Sequence, residues 1–116
     1  MGERYMRIAI PVAGGLLCSH FGHCEQFRII DIDDNGTVLS MEDLTPPPHE
    51  PGVLPAWLAQ QKVNHIIAGG MGMRAIGLFK TNNISVTTGA PAMDPADLAK
   101  AYIDGTLVSG DNLCDH

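Results

Sequence analysis

Two thiols and two imidazoles fall within seven residues in Cys18-Ser19-His20-Phe21-Gly22-His23-Cys24. Thiolate and imidazole are the ligands that zinc, copper(I) and iron–sulfur centres prefer. The spacing is not the CxxC pattern of a zinc site, so these residues suit equally a tight loop in which the histidines bond backbone groups and Cys24 packs as a small hydrophobe. His49 lies among prolines in Thr45-Pro46-Pro47-Pro48-His49-Glu50-Pro51-Gly52, where no core-packing need calls for an imidazole. A solvated surface histidine is the alternative there. Near the other end, Asp111-Asn112-Leu113-Cys114-Asp115-His116 sets a thiol and an imidazole two residues apart. In an extended chain such residues point the same way and can reach one metal; an idle tail is the plainer reading. His65 opens an apolar run and reads as structural.

A second kind of site is suggested by Gly69-Gly70-Met71-Gly72, which closes one apolar run and opens a helical pattern. Backbone N–H groups in such a loop can face a crevice at the strand's carboxyl end and favour an anion. No GK[ST] follows and the GxGxxG fingerprint is incomplete, so the loop does not specify a nucleotide. A tight turn that needs glycine for close packing accounts for it as well. Arg74 falls in the first turn of the following helix, where its charge opposes the helix dipole and a local anion would explain it. Met71 and Met73 read first as packing residues. Catalysis finds less support: there is no GxSxG elbow and no HExxH helix, and Asp31 and Asp33 are most simply solvated. The chain is expected not to be an enzyme.

These residues need elements to hold them. Residues 6–12 form a short apolar run that suits a strand buried on both faces, ended by Gly14-Gly15. Gln26–Asp33 is a second strand, and Asn35-Gly36 turns it into a third, about Thr37–Leu44. The proline stretch must be a loop. A short helix from Leu54 to about Gln61 has Pro55 in its first turn. His65–Ala68 is the fourth strand, Met73, Ile76 and Phe79 mark one face of the second helix, and Ile84–Thr87 is the fifth strand. Asp94-Pro95 caps a last helix that Gly105 stops near Asp104. The order βββαβαβα predicts an α/β fold, a meander followed by right-handed parallel crossovers in a five-stranded mixed sheet with flanking helices. Residues 106–116 are expected to fray, and with Met6 as an alternative start residues 1–5 are a leader.

At 116 residues the chain suits one domain, 1–116. Hydrophobic residues at 45% and charged residues at 17% fit a globular protein rather than disorder. A formal net charge of -6 disfavours nucleic acid and acidic membrane surfaces as partners. No long apolar segment marks a signal peptide or span, and three cysteines do not make a secreted disulfide framework; a cytoplasmic location with reduced thiols is expected.

Taken in order, IAIPV, SHFGHCEQF, HEPGVLPAWL, IIAGGMGMRAIGLF, ISVTTGA and the terminal CDH resemble the dinitrogenase iron-molybdenum cofactor biosynthesis family, of the NifX and NifB C-terminal kind. The resemblance spans nearly the whole chain and is most like the small stand-alone members, among them the orange protein with its molybdenum–copper sulfide cluster. It implies a ribonuclease H-like fold without nuclease activity, since the first strand lacks an acidic residue. It also implies binding of a preassembled anionic metal–sulfur cluster, of molybdenum–copper sulfide or iron–molybdenum and iron–sulfur type, by a carrier or scaffold that meets a cofactor-assembly or recipient protein. The cofactor-binding candidates are Ser19, His20, Phe21, Gly22, His23, Cys24, His49, Gly69, Gly70, Met71, Gly72 and Arg74. Direct metal ligands would come from Cys24, His23, His20, Cys114 and His116. A mononuclear zinc or copper site, and a metal-free interaction module, are the alternatives.

Overall fold

The computed structural model describes residues 5–18, 24–47 and 52–107. Its strands are β1 (Tyr5–Ala13), β2 (Leu16–Leu17), β3 (Gln26–Asp33), β4 (Val38–Leu44), β5 (His65–Ile67) and β6 (Ser85–Thr87). The helices are α1 (Val53–Gln60), α2 (Met73–Thr81) and α3 (Pro95–Asp104). The main sheet runs β4-β3-β1-β5-β6, with β3 antiparallel to β1 and β4, and β5 parallel to both β1 and β6. This is the mixed sheet with flanking helices that the apolar runs and the Asn-Gly turn predict.

The apolar runs lack a clear period because the central strands are covered on both sides. Ala9, Phe27, Ile29 and Ile66 pack under Leu54 and Leu58 of α1 and Phe79 of α2. Ile8, Ile10, Val12, Ile30, Ile32 and Ile67 pack on the other face, under Leu98 and Ala99 of α3. Edge strand β4 has no such double cover, and Leu39 and Met41 are exposed along it.

Three local features depart from the sequence reading. Gly14 and Gly15 do not simply end β1: with φ of 63° and 83° they make the left-handed two-residue turn that folds β2 back on β1. Such a two-residue strand carries no readable period. Asp31 is not merely solvated, since its two carboxylate oxygens accept from Arg7 Nη1 at 3.0–3.1 Å and one of them from the Ser40 hydroxyl at 2.8 Å. Asp33 accepts the Asn35 and Thr37 N–H groups and so shapes the β3–β4 turn. At the chain ends, Tyr5 pairs with Asp33 inside the sheet, and the N–H groups of Thr106 and Leu107 both return to the Ala101 carbonyl. Residues 5, 106 and 107 therefore belong to the folded body.

The Asp94 carboxylate caps α3 by accepting from the Ala96 and Asp97 N–H groups, with Pro95 in the first turn. Removing that acceptor leaves two donors to water. Asp94→Ala is expected to lower the stability of the chain by about 1 kcal/mol in urea denaturation.

Candidate functional site

Parallel strands send their carboxyl ends to one edge of a sheet, and antiparallel neighbours begin or end there according to direction. Here β1, β5 and β6 end at the same edge, β3 starts there, and β4 ends there beside Phe27. The edge therefore collects Gly14–Cys18, Cys24, Thr45–Pro47, the glycine loop after β5 and the loop after β6. Topology thus brings the described ends of the first loop and the proline loop to the edge where the glycine loop lies.

The glycine loop leads directly into α2. The Ala68 N–H donates to Thr87 O, and Gly69 O accepts from the Gly89 N–H, so the loop is stitched to the segment after β6. Gly69 and Gly70 are buried, and Met71 is 1% exposed, its side chain in the core with Phe79 and Ala68. Met71 thus offers the site its backbone rather than its thioether. Gly72 precedes the helix with φ −67° and ψ 153°, and no side chain caps it. The first N–H groups of an α-helix have no intrahelical acceptor, so this end is positive and open. A Cβ at Gly72 would meet nothing within 4 Å, which leaves room for an approaching group.

The charges around this end are one-sided. The first turn of α2 contains no acidic residue. Arg7 is engaged by Asp31 and Glu42, and Arg28 by Asp43 at 2.7 Å. Exposed Arg74 forms no ion pair among the described residues, although the chain as a whole is acidic. A cation in the first turn of a helix end that no side chain caps is an arrangement that attracts an anion.

Cys24 stands just before β3, half-buried against the core layer under α1 and α2. Burial first, and then the neighbouring Cys18, push its thiol up to about 11. Cys18, the other thiol of the first segment, is 9% exposed and stands outside the ligand set that the resemblance implies. Only the β1–β2 turn, which the apolar pattern hides, brings it to this edge. Ser19, His20, Phe21, Gly22, His23, His49, Cys114 and His116 lie outside the described residues. Among the described residues no three of His, Cys, Asp and Glu gather as a metal site.

His65 is structural, as its position at the start of an apolar run suggests. It is 2% exposed, stacks on Tyr102 at 4.2 Å, and its ring nitrogens contact the Ser85 and Thr87 hydroxyls. Its place at the opening of β5 is at the far end of that strand from the glycine loop. A cavity of about 470 Å³ lined by Tyr5, Arg7, Gln61 and Asn64 also opens at the far end, and no thiol or imidazole lines it. No helix among the described residues is long and apolar enough to cross a membrane.

Known proteins share both this fold and this sequence. An uncharacterised protein of Methanocaldococcus jannaschii is 32% identical over 109 residues, covering 90% of this chain and 91% of its own. The crystal structure of PH0822 superposes with a TM-score of 0.81 at 33% identity, over 90% of this chain and 94% of the other. The apo form of the orange protein from Desulfovibrio gigas has the same fold, with a TM-score of 0.74 at 18% identity over 96% and 98% of the two chains. The family model for dinitrogenase iron-molybdenum cofactor proteins matches residues 4–105, a stretch that holds every described strand and helix together with the glycine loop, Arg74 and both edge thiols. With sequence, fold and loop edge all accounted for by that match, the chain belongs to the dinitrogenase iron-molybdenum cofactor family.

Proposed function

We propose that this chain takes up a preassembled, anionic metal–sulfur cluster at the loop edge of its sheet and carries it to a recipient, without catalysing a reaction. The observation that carries this reading is the α2 end without a side-chain cap, with Arg74 beside it unpaired among the described residues, on the same edge as two thiols. Backbone N–H groups and a guanidinium suit the diffuse charge of a sulfide-rich anion, because many weak donors neutralise it without fixing a coordination number. The family's association with an iron–molybdenum cofactor agrees with such a cargo. Four-cysteine ligation is out of reach for a chain with three cysteines, so at least part of the hold must be electrostatic. That makes the cargo transferable, as a carrier requires. A cytoplasmic setting with reduced thiols suits the chemistry.

Elemental and acid-labile sulfide analysis of the chain purified anaerobically from its native host tests this. Molybdenum with sulfide, or iron with sulfide, is the expected result. One zinc or copper ion per chain without sulfide would replace the carrier with a mononuclear site, and metal-free protein that still binds an assembly partner would replace it with an interaction module.

A further inference from the structure

Cys18 and the residue that follows Cys24 are tied to adjacent residues of β1. The Cys18 N–H donates to Pro11 O at 2.8 Å, and the N–H of Glu25, next to Cys24, donates to Val12 O at 2.9 Å. Successive carbonyls of a strand point to opposite flanks. β3 pairs with β1 along Tyr5–Val12 on one flank, so β2 and Cys18 must use the other, the flank that β5 occupies at Ile8 and Ala9. Cys18 therefore lies just beyond the end of β5, where the glycine loop leaves the sheet.

The side chains share a face. Leu17 packs with its partner Val12 in the layer under α3. Alternation then turns Cys18 to the opposite face, and Cys24 packs on that same face, against the layer under α1 and α2. The raising of the Cys24 thiol by Cys18 agrees with that shared face.

Separation decides what such a pair can hold. Strands lie about 4.8 Å apart, so backbones on the two flanks of β1 are separated by roughly 9–10 Å. A disulfide needs Cα atoms within about 7 Å. One zinc ion asks for four ligands, and among the described residues no third His, Cys, Asp or Glu gathers beside the two thiols. A polynuclear cluster, whose metals occupy different corners, spans the gap without moving either strand.

We propose that Cys18 and Cys24 together anchor the cluster, as thiolate ligands to two of its metal atoms. The proposal rests on the carrier reading above and adds to it which residues bond the cargo. Anchoring is ligand exchange: each Sγ–metal bond replaces a bond to a labile thiolate on the incoming cluster, the Sγ proton leaves with the displaced thiol, and no electron is transferred. Arg74 and the α2 amides then meet the sulfide surface from the adjoining loop.

The test adds a synthetic [4Fe–4S] cluster bearing small exchangeable thiolates to the full apo chain, reduced and anaerobic. After gel filtration, iron retained by the protein and small thiol released are both counted. The wild type is expected to release two thiols per retained cluster, Cys18→Ser and Cys24→Ser one each, and Cys114→Ser two. Cys18→Ala and Cys24→Ala repeat the measurement where a serine variant has lost its native circular dichroism. Retained cluster with no thiol released overturns the anchor and leaves the carrier standing, as does an unchanged count in Cys18→Ser. A wild type that retains no iron overturns both.

Discussion

Arg74→Glu is expected to weaken uptake of an anionic cluster about 30-fold while leaving the fold intact. Two units of charge change at a site beside the cargo, and at the high effective dielectric of a protein surface each is worth about 1 kcal/mol over several ångströms. That sum of about 2 kcal/mol corresponds to the stated factor. Folding responds in the opposite direction. A carboxylate in the first turn of a helix is favoured by the dipole by about 0.3–1 kcal/mol, and α2 has no acidic residue there now. The variant should thus be slightly more stable in urea and yet load poorly, a combination that general damage to the structure cannot produce. Arg74→Lys should restore most of the uptake, and the gap between Arg74→Glu and wild type should narrow as salt is raised, because exposed charges are screened. Equal loading by wild type and Arg74→Glu at low salt would remove the electrostatic cradle and leave thiolate bonding as the dominant hold.

The second large effect is on stability and arises from His65. Burial lowers its imidazole from 6.5 to about 4 in the folded chain. The unfolded chain therefore binds the extra proton between those values, and unfolding is promoted by acid. Stability is full above about pH 6.5, declines as the pH falls toward 4 and levels off below that, for a total of about 3 kcal/mol from this residue. His65→Ala removes the titration and also the stacking on Tyr102 and the contacts with Ser85 and Thr87. Its stability at pH 7 should drop by about 2–4 kcal/mol, with a flatter profile between pH 6.5 and 4 than wild type. Urea midpoints across that range decide the matter. A parallel decline in both proteins would assign the acid sensitivity to carboxylates instead.

His65 also illustrates how far residue type and order go. An imidazole opening an apolar run cannot face water without breaking the run, so a structural role was legible from its neighbours. The same holds for most elements here. Asn35-Gly36 marks a hairpin, Asp94-Pro95 marks a helix start, and the βββαβαβα order leaves few right-handed ways to close a mixed sheet. From that order follows the gathering of loops at one edge, since parallel strands share their carboxyl ends. The glycine loop and Arg74 could therefore be placed at a common site before any coordinates, because both are adjacent in sequence to a strand end.

What depended on tertiary structure was which neighbours each side chain finds. Met71 and Gly72 are adjacent in one glycine-rich motif, yet one packs in the core and the other fronts open space, a difference set by α2 and the segment after β6. Asp31 reads as a solvated strand-end carboxylate until β1 brings Arg7 across to it. Among the described residues Arg74 lacks an ion pair because of where Asp and Glu fall on other elements, which no local pattern reveals. Cys18 is the clearest case. The residues before it, Leu16 and Leu17, are apolar, and a two-residue strand turned on Gly14-Gly15 is too short to show a period, so only pairing with β1 sets its thiol on the face and at the edge that Cys24 shares. Local propensity and order determine elements and their sequence along the sheet; contacts between residues far apart in the chain determine which groups can act together.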